Sequence, residues 1–402
     1  MAGALSGLKV IELGEMVSAP YAAKLMADMG AEVIKIERPG AGDHARSRGP
    51  FPGGTAHPEK SGLYLYLNTN KLGVTLDVSR PEGFELLERL AADADVLIHN
   101  VVPSDMDRIG LSFERMRGRN PRMVMTSISP WGLSGPKREW RAEDLTLWSA
   151  SGICYINGGG SQHPEMPPLR AFGQQSGFQG GVHAAVATMG AVFAQMRDGE
   201  GQHVDVSIYE SLAAQMELFF EFWPYMNMVA SRLGQKPIQP LEVMECRDGY
   251  IFVCCVEEHQ WRNFVELMGN PEWAAEDIFS DRLKRGANWD ALKIFLEDWL
   301  KDQSALDLYQ KAQARRIPFA PVSTMGDLLS SDHLKHRGFF VEITHPVAGT
   351  HKYPGAPLKY GRTPWEIRRP APTLGQHNEE IFGARLRLKP ARIEELHRIG
   401  VI

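Results

Sequence analysis

The feature that most constrains the fold is an alternation of two hydrophobic periods along the first third of the chain. LKVIEL is a short apolar run, PYAAKLMADMG carries helical spacing and closes on Gly30, and AEVIKIE returns to a run rich in β-branched residues. Strand, helix and strand in that order make a βαβ unit. The pattern repeats with GVTLDV, PEGFELLERLAADA, DVLIHN, a further helical stretch and RMVMTSIS. Strands joined by helical crossovers pair in parallel, and the helices then cover both faces of the sheet. The sequence therefore predicts an α/β fold around a parallel sheet, with ligands expected at the carboxyl ends of its strands.

A second regime begins near Gly180, where GGVHAAVATMGAVFAQMRDG sets small residues at helical spacing and fits a tightly packed helix. After it, GQHVDVSIYESLAAQMELFFEFW reads as a strand followed by one long apolar helix. The polar, proline-marked SRLGQKPIQP suits a linker. From about Leu241 to Val322 a smaller domain opens with the strand GYIFVCCV and continues through HQWRNFVELMG, ALKIFLEDWLKDQ and ALDLYQKAQARR as helices. The glycine- and proline-rich stretch HRGFFVEITHPVAGTHKYPGAPLKYGRTP then returns to the first domain. The expected boundaries are 1–225 for the N-terminal part of a large domain, 226–335 for linker and small domain, and 336–402 for the returning segment. At 402 residues the chain exceeds the roughly 250–300 that one core supports, which agrees with two domains.

A net charge of -5 supplies no field for nucleic acid, so a polyanionic ligand needs a local basic site. No run approaches the roughly 18 apolar residues of a membrane span, and MAGALSGLKVIELGEM lacks the charged start and long apolar stretch of a signal peptide. A cytoplasmic protein with no membrane partner is expected. Cys154, Cys246, Cys254 and Cys255 have no metal-ligand spacing and read as buried reduced thiols, so no metal site is expected.

Several blocks, in one order along nearly the whole chain, carry a resemblance. They are SAPYAAKLMADMGAEVIKIERPGAGD, LNTNKLGVTLDV, NVVPSDMDRIGLSFERMRGRNPRMVMTSISPWGLSGP, GEGQHVDVSIYESL, IPFAPVSTMGDLLSSDHLKHRGFF, YPGAPLKY and APTLGQH. Together they resemble family III CoA-transferases, the group that includes formyl-CoA transferases and α-methylacyl-CoA racemases. The resemblance implies a Rossmann-like large domain built from both chain ends, a smaller α+β domain and an interlinked dimer. It also implies CoA or an acyl-CoA as substrate, with no permanently bound cofactor. In that family an aspartate attacks the acyl thioester to give a mixed anhydride, CoA thiolate makes an enzyme thioester, and an acceptor acid completes the exchange.

CoA carries phosphates, which arginines beside strand ends suit. Arg38 in KIERPGAGD and Arg108 in DRIG match family positions that contact CoA, and Arg141 aligns with a basic residue at the site edge. The first-helix turn is SAP here, so backbone N–H groups near Val17 and Ala19 are further CoA-binding candidates. Where the family keeps a glutamate, asparagine, phenylalanine and arginine run, this chain has HNVVP, with His99 and Val102 at the former charged ends.

The family's catalytic aspartate position falls on Gly177, within GQQSGFQGG. A one-residue shift of register finds no acid either. Ser176 lacks an adjacent base and reads as structural; His183 reads as a packed histidine. Asp144 aligns with an acid of active members and stands either as a supporting acid or as a cap ahead of LTLWSASG. Gly158, Gly159 and Gly160 form either a lid or a turn.

Three functions stay open at this point. One is the non-catalytic subunit of a heteromeric CoA-transferase, whose homologous partner subunit bears the aspartate. Another is a self-sufficient racemase or lyase with a different base. The third is an acyl-CoA-binding sensor.

Overall fold

The computed structural model describes residues 2–158, 165–232 and 238–402. The chain gathers into two compact units, one of Met1–Gly158, Pro167–Ala230 and Gly338–Ile402, the other of Gly159–Met166 and Ser231–Arg337.

The larger unit is built on six strands: β1 (Lys9–Leu13), β2 (Glu32–Glu37), β3 (Lys71–Thr75), β4 (Val96–His99), β5 (Val124–Ser129) and β6 (His203–Ser207). They lie in the order β3-β2-β1-β4-β5-β6, every pair parallel. The chain steps outward from β1 to β3 and then crosses to β4. This reversal leaves a crevice at the carboxyl ends of β1 and β4, where α/β sheets hold ligands. Helices cover both faces, so the strands are buried along most of their length, and among the buried charges they carry Glu12 pairs with Lys35 and Lys71. On one face Phe84, Leu87 and Leu90 of the Pro81–Ala91 helix pack with Ile381, Phe382, Leu396 and Val401 from the chain's end. On the other lie Ala22, Ala23 and Met26 of the first helix, Ser18–Asp28, with Ala184, Ala191 and Val192 of the long helix, Gln175–Asp198.

Two expectations need correction here. The small-residue helix starts before Gly180, at Gln175, so Gly177 stands in its first turn. The apolar stretch after β6 is not one helix: Ile208–Ala213 and Leu218–Met226 are separated at Glu217, whose left-handed backbone (φ 41°) cannot continue a right-handed helix.

The smaller unit has its own core. Leu241–Cys246 and Gly249–Cys254 pair antiparallel, with Ala320–Pro321 added at the edge. Against this sheet the helices Glu258–Leu267, Trp289–Leu300 and Ala305–Ala314 bury Trp261, Phe264, Leu292, Leu296 and Leu308. The domain thus opens one strand earlier than GYIFVCCV, because LEVMEC alternates too weakly to announce a strand by itself. The four cysteines are free and buried. Residues 233–237 of the SRLGQKPIQP stretch, and Gly159 and Gly160 of the glycine cluster, lie outside the described residues.

Candidate functional site

The site is set by how closely two helices approach. The long helix meets the start of the first helix and of Ile208–Ala213 through glycines. A Cβ on Gly181 would stand 2.7 Å from the Ser18 carbonyl oxygen, and one on Gly180 would stand 2.7 Å from Ile208 Cγ1. Real side chains do not tolerate such distances, so only glycine lets these backbones meet. Gly177, one turn earlier, faces Val17: a Cβ there would lie 3.0 Å from Val17 Cβ and 3.2 Å from Val17 Cγ1, with the Ser18 nitrogen next at 3.8 Å. The nearest neighbours of the expected nucleophile position are therefore a valine side chain and a peptide nitrogen.

The loop that carries Val17 runs from β1 to the first helix and is clamped from three sides. Asn100, directly after β4, accepts from the Glu15 N–H (3.0 Å) and donates to the Glu15 carbonyl (2.7 Å) and to Ser18 Oγ (3.0 Å). The Met16 N–H donates to Asp43 Oδ1 (2.8 Å), and the Val17 carbonyl accepts from the Tyr21 N–H (2.8 Å). Beneath the loop lies a buried ion cluster in which Lys35 donates to Glu12 (2.9 Å), to Asp43 (2.8 Å) and to the Gly14 carbonyl (2.9 Å). Burial opposes the charge on Asp43, yet Lys35 and the two N–H groups of Met16 and Ala45 hold its carboxyl below the usual carboxylate range. Lys71 also pairs with Glu12 (2.6 Å), but burial outweighs that partner and brings its ammonium down to about 8. This cluster fixes the loop; it does not reach Gly177.

Asp144 serves the other end of the contact. It stands in the first turn of the Asp144–Ala150 helix, whose cap is Glu143 with Thr146. The Asp144 carboxylate instead accepts from the Ser176 N–H at the start of the long helix (2.8 Å), and Ser176 Oγ donates back to the Asp144 carbonyl (3.1 Å). Asp144 is therefore a cap, though of a helix 32 residues away and not of its own. Its second oxygen is buried without a hydrogen bond among the described residues, with Arg170 Nη1 at 3.6 Å. Ser176 is buried and its hydroxyl is committed to Asp144; His183 Nδ1 sits 2.9 Å from the Gln179 carbonyl of its own helix. Neither group is arranged as a nucleophile with a base.

The expected CoA contacts are placed as follows. Val17 and Ala19 are buried at the start of the first helix. Arg38 directly follows β2 at the carboxyl edge of the sheet, exposed and paired with Glu15 (2.9 Å). Arg108 is exposed in the last turn of the Pro103–Ile109 helix and pairs with Asp105 (3.0 Å). Arg141 is exposed on the segment leading to Asp144. In HNVVP, His99 is fully buried: Nδ1 accepts from the Val101 N–H (3.3 Å), and Nε2 meets Ser127 Oγ (2.7 Å), which in turn meets His203 Nε2 (2.8 Å). Burial, with the neighbouring His203, pushes His99 down to about 3, so the ring is neutral at physiological pH. The sequence signals neither the Asp144–Ser176 cap nor the Val17–Gly177 contact, since both join residues far apart in the chain.

Known proteins share this sequence pattern and this fold. The family model described as CoA-transferase family III matches residues 5–378. Succinyl-CoA:(R)-benzylsuccinate CoA-transferase subunit BbsE of Thauera aromatica is 31% identical, with 99% of this chain and 98% of that protein covered. The human succinyl-CoA:glutarate CoA-transferase is 28% identical, over 99% of this chain and 90% of its own. Among solved structures, a CAIB/BAIF family protein from Brucella suis superposes with a TM-score of 0.84 at 26% identity, covering 98% of this chain and all of the other.

Proposed function

The chain belongs to CoA-transferase family III, and from that premise we propose that it is the non-catalytic subunit of a heteromeric CoA-transferase whose aspartate comes from a homologous partner subunit. The observation that carries this reading is Gly177, which leaves no side chain at the nucleophile position and has Val17 packed against it. The overall reaction moves CoA from an acyl-CoA such as succinyl-CoA to a carboxylic acid such as benzylsuccinate, a step in aromatic acid catabolism. The relative from Thauera aromatica supports that choice, being itself named as a subunit of such an enzyme.

The partner's aspartate performs the acyl chemistry, and this chain supplies the scaffold of an interlinked heterodimer or heterotetramer in the cytoplasm. Exposed apolar side chains support an assembly: Val186, Phe193 and Met196 on the outer face of the long helix, and Trp223, Tyr225 and Met226 beyond Glu217. Patches of this kind on a chain with a well-filled core mark contact surfaces. Arg38, Arg108 and Arg141 are the groups through which this chain would hold CoA phosphates, and the backbone at Val17 and Ala19 is a further point of contact with CoA. Among the described residues no helix is long and apolar enough to cross a membrane, and no cluster of metal-ligating side chains occurs.

The test is to assay CoA transfer from succinyl-CoA to benzylsuccinate by the purified chain alone, and by the chain co-expressed with an aspartate-bearing homologue. The expected outcome is a mixed assembly that turns over and a lone chain at least about 1000-fold slower, the scale on which removing a nucleophile acts. Equal rates for the lone chain and the assembly would refute the proposal. Homodimers alone under matched expression would favour a sensor that binds acyl-CoA.

A further inference from the structure

We propose that Val17 closes this chain's own acyl site, so that acyl thioesters are excluded from it by shape as well as left without a nucleophile. The inference rests on Gly177 marking the family's aspartate position; its geometry stands apart from any claim about a partner.

Three observations carry it. First, the 3.0 Å separation is between Val17 Cβ and the Cβ position of residue 177, so no rotation of the valine side chain relieves it. Only movement of one backbone or the other could. Second, both backbones are pinned. On the Val17 side, Asn100 and Asp43 hold the loop through Glu15, Met16 and Ser18. On the other side, Asp144 holds the Ser176 N–H, and the Phe178 ring packs edge-on against Tyr21 with centroids 4.8 Å apart. Third, Val17 occupies the cap position of the first helix, where it makes no side-chain capping bond. Serine, threonine, asparagine, aspartate or glycine would serve that position better, by about 1 kcal/mol over an aliphatic residue. A valine that is poor at capping and buried against Gly177 is there for the volume it fills.

The consequence concerns what the chain accepts. A carboxylate on residue 177 and the thioester carbonyl it would attack both need the space next to its Cβ, and Val17 crowds that space from one side. CoA could still rest on Arg38 and Arg108, but its acyl end would not reach residue 177. Turnover then belongs wholly to the partner's site.

The experiment compares the full-length wild-type chain with Val17→Gly, Gly177→Asp and the double variant. Glycine is a competent cap, so Val17→Gly retains the fold, which thermal denaturation verifies. Each protein is incubated with succinyl-CoA, treated with borohydride and weighed intact. In a competent site the carboxylate oxygen introduced by Gly177→Asp bonds to the acyl carbon as the carbon–sulfur bond breaks. The released thiolate then attacks the aspartyl carbonyl, succinate leaves, and a thioester of the protein with CoA remains for borohydride to reduce. The expected result is no modification of the wild type, little of Gly177→Asp, and at least about 10-fold more of the double variant, in line with the rejection a single apolar group can impose.

A second arm measures binding of a non-reactive thioether analogue of succinyl-CoA. Val17→Gly should bind it at least about 10-fold more tightly than the wild type. If Gly177→Asp is modified as fully as the double variant, or if Val17→Gly gains no affinity, Val17 is not the closure. CoA transfer by the unmodified wild-type chain alone would instead remove the subunit reading, while the binding arm still decides the role of Val17.

Discussion

Gly180 and Gly181 on one side of the long helix and Gly190 on the other are the same residue type put to opposite conditions. A Cβ at Gly180 or Gly181 would strike Ile208 or the Ser18 carbonyl at 2.7 Å, whereas one at Gly190 would meet nothing within 4 Å. The inner glycines are dictated by this chain's own fold: they let the long helix lie against the start of the first helix and so bring Val17 to Gly177. The outer glycine has no such reason within the chain. It lies in an exposed apolar stripe with Val182, Val186, Phe193 and Met196, spaced as neighbours on one helical face. A helix apolar on all sides is ordinarily buried on all sides. The comparison therefore separates what the chain needs in order to fold from what it needs in order to meet something else.

The largest expected effect is on the inner face. Gly181→Val places branched carbons against the Ser18 carbonyl and the Tyr21 side chain, where no neighbouring atom is the free end of a flexible group. Overpacking of this kind costs about 3 kcal/mol, so the denaturant midpoint should fall markedly and part of the protein should be recovered unfolded. Unchanged stability would mean that the helices are not held as closely as the inner glycines indicate, and the contrast with Gly190 would lapse.

A smaller effect is expected where the inner face begins. Asp144→Ala removes the acceptor for the buried Ser176 N–H and leaves the first turn of the long helix without its cap. Losing such a cap costs about 1–2 kcal/mol. Urea denaturation at neutral pH measures it, and Asp144→Asn, which keeps an acceptor oxygen, should recover most of the loss. If Asp144→Ala leaves stability intact but abolishes CoA transfer by the assembled enzyme, Asp144 is a working acid and not a cap.

The sheet was legible because its strands are largely buried: runs such as VIEL, VLIH and VMTSIS are rich in aliphatic and β-branched residues, and the helices between them carry the 3.6-residue period. The family blocks added the expectation that the aspartate position falls on Gly177. What stayed hidden depends on contacts across the fold. Nothing near Asp144 in sequence points to Ser176, and VSAP reads as an ordinary helix start until Val17 is seen against Gly177. The break at Glu217 was missed for a different reason. Apolar periodicity continues through it, and a single left-handed residue leaves no compositional trace when it is not glycine or asparagine.

The smallest effect is the most discriminating, because its sign is opposite to that of Gly181→Val. Gly190→Ala adds a methyl group to open space on an exposed helical face and removes backbone freedom from the unfolded chain. The isolated chain should therefore gain about 0.5–1 kcal/mol, read as a rise in denaturation midpoint. A glycine that lowers stability in the middle of an exposed helix calls for a benefit outside the chain, and close approach of another helix is the usual one. If the outer face meets a partner there, the same substitution should weaken the mixed assembly even as it strengthens the lone chain. The two measurements are thermal denaturation of the chain alone and the dissociation constant of the proposed complex with an aspartate-bearing homologue. Stabilisation in both would place the contact elsewhere, with Trp223, Tyr225 and Met226 as the next surface to probe. Destabilisation of the lone chain would show that Gly190, like Gly180 and Gly181, is required by the fold itself.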